Sequence, residues 1–355
     1  MMYGSRQILS LIILLCIMTQ WSCKKEPPAQ PPSLKNPRTY TWTVDTLSYA
    51  GSFQTLMTDI WASSPSNVYV VGFNDQGGRG TMFRYDGTRW QEINLGSIII
   101  GGISLESIYG FAPNDVYAVG RRIYNNPHPP PNFLDSSLII HFDGVQWSES
   151  VIQRGGLLKD VWGVSFTSIW TVGGNGTAYL FDGSRWERRR IRDDVFFQTI
   201  TGRSASDVYA LGYKLDVSPY DSIRSYVFHF DGQSWQLRDS LIANTFPPVH
   251  SFGVADIWAL SSTEVFSVGY GIFKKADNGW TKIFDDNTVV SGIGGNASRN
   301  IFAVGVGIYH FNGLNWYSYE QFRNFPGVIL RVWVDTNEVF AVGHDGNRSY
   351  VFHGK

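Results

Sequence analysis

The chain has 355 residues, 15% of them aromatic and 17% charged, with 37 Gly and a formal net charge of −1. That near-neutral balance excludes the basic footprint of a nucleic-acid binder. Cys16 and Cys23 are the two cysteines, so the chain beyond residue 23 holds neither a disulfide nor a thiolate metal site.

Residues Ile8 to Met18 form an apolar run of 11 residues behind a short segment carrying Arg6. This falls short of the roughly 20 residues that span a bilayer and suits the centre of a secretory leader. The run ends in Thr19-Gln20-Trp21-Ser22-Cys23-Lys24-Lys25-Glu26. A small residue, then Cys, then a charged tail resembles the cleavage site of bacterial lipoproteins, although Gln20 and Trp21 depart from the usual residues before it. The resemblance implies a leader over 1–22 and acyl chains, palmitate among them, on Cys23. More than one chain makes membrane attachment lasting. The Cys-Lys-Lys-Glu start is similar to Bacteroidetes outer-membrane lipoproteins, which implies the cell envelope, on either the periplasmic or the surface side. A plain leader with an incidental Cys is the alternative. Residues 24–39 hold five prolines, so 23–39 reads as an extended tether reaching ~50 Å at about 3.1 Å per residue.

From residue 40 to 355 one unit recurs, in short runs whose Val, Ile and aromatic content points to strands. Its first strand ends in Trp-small: Ile60-Trp61-Ala62, Ile108-Tyr109-Gly110, Val161-Trp162-Gly163, Ile257-Trp258-Ala259 and Val332-Trp333-Val334, with weaker copies at Ile200-Thr201-Gly202 and Ile293-Gly294-Gly295. A second strand closes on Gly72, Gly120, Gly173, Gly212, Gly269, Gly305 and Gly343, 11 residues beyond the first-strand position in six copies and 10 in the last. A third strand leads through aromatic-Asp-Gly to a Trp, as in Tyr85-Asp86-Gly87 with Trp90 and Phe142-Asp143-Gly144 with Trp147. Asp-Gly and Asn-Gly supply the positive φ of a tight hairpin.

The last unit stops at Phe352-His353-Gly354-Lys355, where its fourth strand should begin, while Tyr40 to Leu47 carries a spare Trp42. The expected fold is therefore all-β: a seven-bladed β-propeller of four antiparallel strands per blade, its last blade completed by the N-terminal strand at 40–47. Such closure suits a ring whose blades pack only on their neighbours. The motif resembles bacterial propellers that repeat Asp-Val-Trp-Ala-Val-Gly … His-Tyr-Asp-Gly-X-X-Trp. These share an architecture and no single activity.

Residues present in every blade serve the blade. On that ground the turn aspartates Asp86, Asp143, Asp182 and Asp231, and His141, His229 and His310 two residues before a turn, read as structural. His353 is placed at the turn Asp of the last blade. The basic run Arg185 to Arg192 reads as charge on an exposed sheet edge, a defence against edge pairing.

Function is expected where the repeats differ, on loops carried by a rigid scaffold. Long second-to-third connections occur at Phe73 to Gly80, Arg121 to Ser137 and Tyr213 to Ser225, and long inter-blade ones at Thr245 to Phe252 and Gln321 to Val328. They offer Arg121, Arg122, Tyr124, His128, Phe133, Tyr220, Arg224, Phe246, His250, Arg323 and Phe325 as a binding face for a glycan or a protein. No catalytic residue, metal ligand or cofactor is expected, and the chain reads as a monomer whose membrane contact is the lipid on Cys23. A glycosidase or lyase at the channel mouth is the competing class. It needs a matched acid and base, whereas the first strands are expected to bring Trp, Tyr, Thr, Ala and Gly to the axis, with Arg331 the one basic residue. A structural part in an envelope assembly is the third reading.

Overall fold

The computed structural model describes residues 35–97, 99, 101–150, 156–215, 223–243 and 251–355. The leader, Cys23, Tyr220, Phe246 and His250 lie outside them. Lys35 to Lys355 form one compact unit. It is all-β: antiparallel strands with three short 3-10 turns among the described residues.

The strands assemble into three four-stranded sheets, one six-stranded and one eight-stranded. Leu158–Ser165, Ser168–Gly173, Ala178–Phe181 and Trp186–Arg188 form one simple sheet in chain order. The eight-stranded sheet joins two such units through one bridge, Phe73 to Ser104. The six-stranded sheet joins two more through the single long strand Gly279–Ala297. First strands of successive units pack side by side, and the last, Val328–Val334, packs back on the first, Thr55–Ser64.

Chain ends meet in one sheet. Trp42–Leu47 pairs antiparallel with Ser349–Gly354, from Trp42 opposite Gly354 to Leu47 opposite Ser349. Elsewhere the fourth-strand Trp faces the turn aromatic, as Trp147 faces Phe142 and Trp316 faces Phe311. Trp42 thus stands at the fourth-strand position of a chain segment some 300 residues away, and its ring packs edge-on to Tyr319 and Phe322, 5.0 Å from each.

The repeat has local physical causes. Gly87, Gly144, Gly183, Gly232 and Gly313 adopt φ of 94°, 92°, 97°, 94° and 92°, which only Gly reaches without strain. Beside each, the Asp or Asn side chain accepts two backbone amides: Asp143 Oδ1 from Val145 and Gln146, both at 2.8 Å. The Trp-small pair is an inter-unit lock. Trp61 lies over Gly110 and Trp162 over Gly202, where a Cβ would sit 2.6 Å from the indole.

Histidines are placed by the same logic. His141 and His229 stack near Tyr117 and Tyr209 and bond Asp115 and Asp207, each at 2.7 Å. His353 stacks 3.9 Å from Phe340 and bonds Glu338 at 2.6 Å. It therefore occupies the His141 position and not that of a turn Asp: Phe340 faces His353 as Tyr117 faces His141, and Gly354 stands where Phe142 does. In the basic run, Arg189 pairs with Glu187 and Arg192 with Asp194 at 2.9 and 2.7 Å, alongside Arg185 with Glu187.

Candidate functional site

Two regions gather polar chemistry, and the first is the axis. Six of the seven described first strands carry a register shift just before the apolar residue, for example between Met57 and Asp59 and between Leu158 and Asp160, while Asp256–Ser261 begins at the Asp itself. The shift turns the residue preceding that apolar position toward the neighbouring first strand. It was the tryptophans and small residues that the sequence placed at the axis. They lie instead between units, and the inner positions belong to Asp59, Ser107, Asp160, Thr199, Asp256, Gly292 and Arg331.

The three aspartates stitch first strands in pairs. Asp59 accepts the amides of Ile60 at 2.8 Å and, across the boundary, Ile108 at 2.9 Å. Asp160 accepts Val161 N, Ser107 Oγ and Ile200 N at 2.9, 2.7 and 2.7 Å. Asp256 accepts Ile257 N and Thr199 Oγ1, both at 2.9 Å, and Ile293 N at 3.4 Å. Arg331 faces them: its guanidinium lies 3.9 Å from Asp256 and donates to the carbonyls of Leu330 and Ser291 at 3.1 and 3.2 Å. Three carboxylates thus share one cation. Burial pushes the Asp59 carboxyl up to about 6, with Arg331 opposing and Asp160 adding to the rise. Burial raises Asp160 as well. For Arg331, burial works against the charge, and the three carboxylates outweigh it and hold the cation.

The second region is the loop-bearing end. The insert from Arg121 to Ser137 is a β-arm: Asp115–Asn125 and Phe133–Phe142 stay paired out to Asn125 opposite Phe133. Its tip closes on Asn126, whose amide reaches the carbonyls of His128 and Pro131 at 3.0 and 2.7 Å. Asp207–Leu215 and Ile223–Phe230 form a second arm, joined along its length by Trp235–Ala243.

Tyr124 and Phe133 are brought together. With Phe73, Asn74, Asp75, Gly77, Asn125 and the Gly101-Gly102-Ile103 connection they line a cleft of about 540 Å³. Phe133 is 62% exposed. Arg122 stands beside Tyr124, over its ring at 5.9 Å, with its charge met by Glu149 at 3.0 Å. A second cleft, of about 570 Å³, lies between Ser48 to Thr55 and Asp345 to Tyr350. The two share a wall, because Ser52 of the second donates to Asp75 of the first. That bond and the amide of Gln54 at 3.2 Å hold the Asp75 carboxyl down to about 2.

The other candidates sit apart. His128 is exposed at the arm tip, and Arg224 is exposed on the second arm. Arg323 bonds Ser318 at 3.1 Å and pairs with Glu320 and Asp286 at 3.3 and 3.4 Å. Phe325 is not a surface platform: its ring packs edge-on against Tyr350 and Phe352 at 5.3 and 5.2 Å. Arg121 lies at the base of the first arm, partly buried. Sequence reasoning missed Asn74 and Asp75 individually, although their loop was marked as long. Among the described residues no group of three or more His, Cys, Asp or Glu is set to hold a metal, and no helix is long and apolar enough to cross a membrane.

No family model matches the chain. No curated protein matches it either. Solved structures do. YCF48 bound to a D1 peptide superposes with a TM-score of 0.61 at 13% identity, over 92% of this chain and 98% of that one. A catalytically inactive virginiamycin B lyase from Staphylococcus aureus, solved with quinupristin, gives 0.57 at 11% over 88% and 99%. The extracellular domain of a putative hybrid two-component system from B. thetaiotaomicron gives 0.59 at 13% over 88% of this chain and 41% of that one. At such identities the likeness is one of fold, and the fold is a β-propeller built from repeats.

Proposed function

We propose that the chain is a non-catalytic, seven-bladed propeller that binds a glycan on its loop-bearing face and is held in the cell envelope, as an outer-membrane lipoprotein, by acyl chains on Cys23. The cleft beside Phe133 carries the binding reading. Its rings, Phe73, Tyr124 and Phe133, offer apolar faces, while Asp75 and Asn125 offer planar hydrogen-bonding groups, and no Lys or Arg is among the lining residues. Aromatic faces with a few placed polar groups suit a neutral sugar, apolar on one face and hydroxylated at its rim.

The count of seven blades is supported by dividing the eight- and six-stranded sheets between two units each, which gives every sequence copy its own blade. Cys23 and the tether rest on the leader motif. The enzyme reading loses support at the axis, where each aspartate is engaged by backbone amides on both oxygens. A protein partner is the competing occupant of the cleft.

The test is a glycan array probed with residues 24–355 and with Tyr124→Ala/Phe133→Ala. The expected result is a neutral glycan bound by the first and lost, by tenfold or more, in the second, with an unchanged melting temperature. A hit that the double variant retains, or an array without a hit, overturns the glycan reading.

A further inference from the structure

The N-terminal arm is docked on one particular end of the molecule. In each antiparallel unit the first-to-second and third-to-fourth turns lie at one end, and the second-to-third and inter-unit connections at the other. Trp42 pairs with Gly354 at the turn end, and Leu47 reaches Ser349 at the loop end. The described residues before Trp42, 35–41, hold to the turn end. Lys35 N donates to Asn337 Oδ1 at 3.0 Å, in the turn between Val328–Val334 and Val339–His344. Arg38 donates to the Asn315 carbonyl and side chain at 2.8 and 2.6 Å, in the turn between Ile308–Phe311 and Trp316–Ser318. Its guanidinium also lies over Tyr317 at 5.4 Å, and Tyr319 donates to the Pro37 carbonyl at 2.8 Å. The residues just after the expected tether, and part of the tether itself, are thus strapped to the turn end at two separate turns.

We infer that the anchored molecule sits with its turn end toward the lipid and its loop-bearing face outward, so that both clefts open away from the membrane. This rests on the proposed acylation of Cys23. Geometry limits the alternative. With Lys35 docked, 11 residues, Lys24 to Leu34, separate it from Cys23, a reach of ~34 Å at about 3.1 Å per residue. A ten-residue first strand such as Thr55–Ser64 spans ~33 Å at about 3.3 Å per residue. Turning the loop face onto the lipid would consume the whole tether in climbing the side of the molecule. With the turn end down, the tether is slack. Without the docked arm it would gain the length of 35–41 and lose this bias.

The experiment uses the full-length acylated protein in vesicles that carry a headgroup energy acceptor. Single cysteines are labelled with a donor at the turn end (Val145→Cys, Leu314→Cys) or the loop end (Phe53→Cys, Asp135→Cys). Both native cysteines fall in the first 23 residues and do not compete. Transfer roughly twofold or more stronger from the turn-end labels is expected, given the ~33 Å between the ends. Releasing the arm with Arg38→Ala/Asn337→Ala should narrow that contrast. Flotation with the vesicles reads the anchor separately. A chain that does not float overturns the anchor and this orientation together. A chain that floats with equal or reversed transfer overturns the orientation alone. An unchanged contrast in the released variant overturns the arm as its cause.

Discussion

Replacing Arg331 by Met removes the one cation facing Asp59, Asp160 and Asp256 and leaves the packing volume nearly intact. Its side chain is 27% exposed and that of Asp256 8%, so solvent screens the pair poorly. Removing one partner of such a buried pair costs about 3–5 kcal/mol; with three carboxylates left behind we expect about 3 kcal/mol at pH 7. The pH dependence is the sharper signature. Asp59 titrates at about 6 in the fold, above the ~3.9 of a free Asp. The folded state therefore takes up this proton first, and stability rises as pH falls through 6 toward 4. Without Arg331, which opposes the rise at both, Asp59 and Asp160 hold their protons more tightly still, so the variant gains more than the parent on acidification. The deficit should shrink to ~1 kcal/mol at pH 5. Urea unfolding of both proteins at pH 7 and pH 5, with fluorescence and circular dichroism transitions shown to coincide, measures this. A deficit equal at both pH values, or under ~1 kcal/mol at pH 7, would refute a shared-cation ring.

Further outcomes test the closure and the core. Trp42→Ala should cost about 3 kcal/mol, the low end for a large core aromatic, because its half-buried ring fills the space against Tyr319 and Phe322. Deletion through Trp42 should abolish the cooperative melt, whereas a chain starting at Asn36 keeps the Arg38 and Tyr319 bonds and should melt within a few degrees of the parent. His310 is 1% exposed with neither ring nitrogen bonded, and burial pushes its imidazole down to about 4. The unfolded chain, titrating near 6.5, takes this proton first, so stability is lost as pH falls below 6.5. His310→Phe should therefore gain about 2 kcal/mol at pH 5 and clearly less at pH 7.5. Equal melting shifts at the two pH values would show that the histidine is not a buried neutral base.

Much of the fold was readable because its determinants are local and repeated. Asp143-Gly144 makes its hairpin from its own atoms, and the same solution recurs at Asp182-Gly183 and Asp231-Gly232. Trp42 was recognisable as a displaced fourth-strand residue because the count of such residues came up one short at the other end. The cleft beside Phe133 was half readable. Tyr124 and Phe133 stood out as an insertion, while Asn74 and Asp75 gain meaning only when the inter-unit connection at Gly101 brings them beside the arm. Phe325 shows the reverse: an aromatic in a long connection that the tertiary structure turns inward against Phe352.

By itself the sequence determined the strand content, the repeat and the segment that closes it, because turn chemistry and spacing act over a few residues. The tertiary structure alone decided what meets at the axis. The packing of first strands side by side carries Asp59, Asp160, Asp256 and Arg331, up to 272 positions apart in the chain, to one place. Only there do three carboxylates come to share one cation, since charges act through space and not along the sequence.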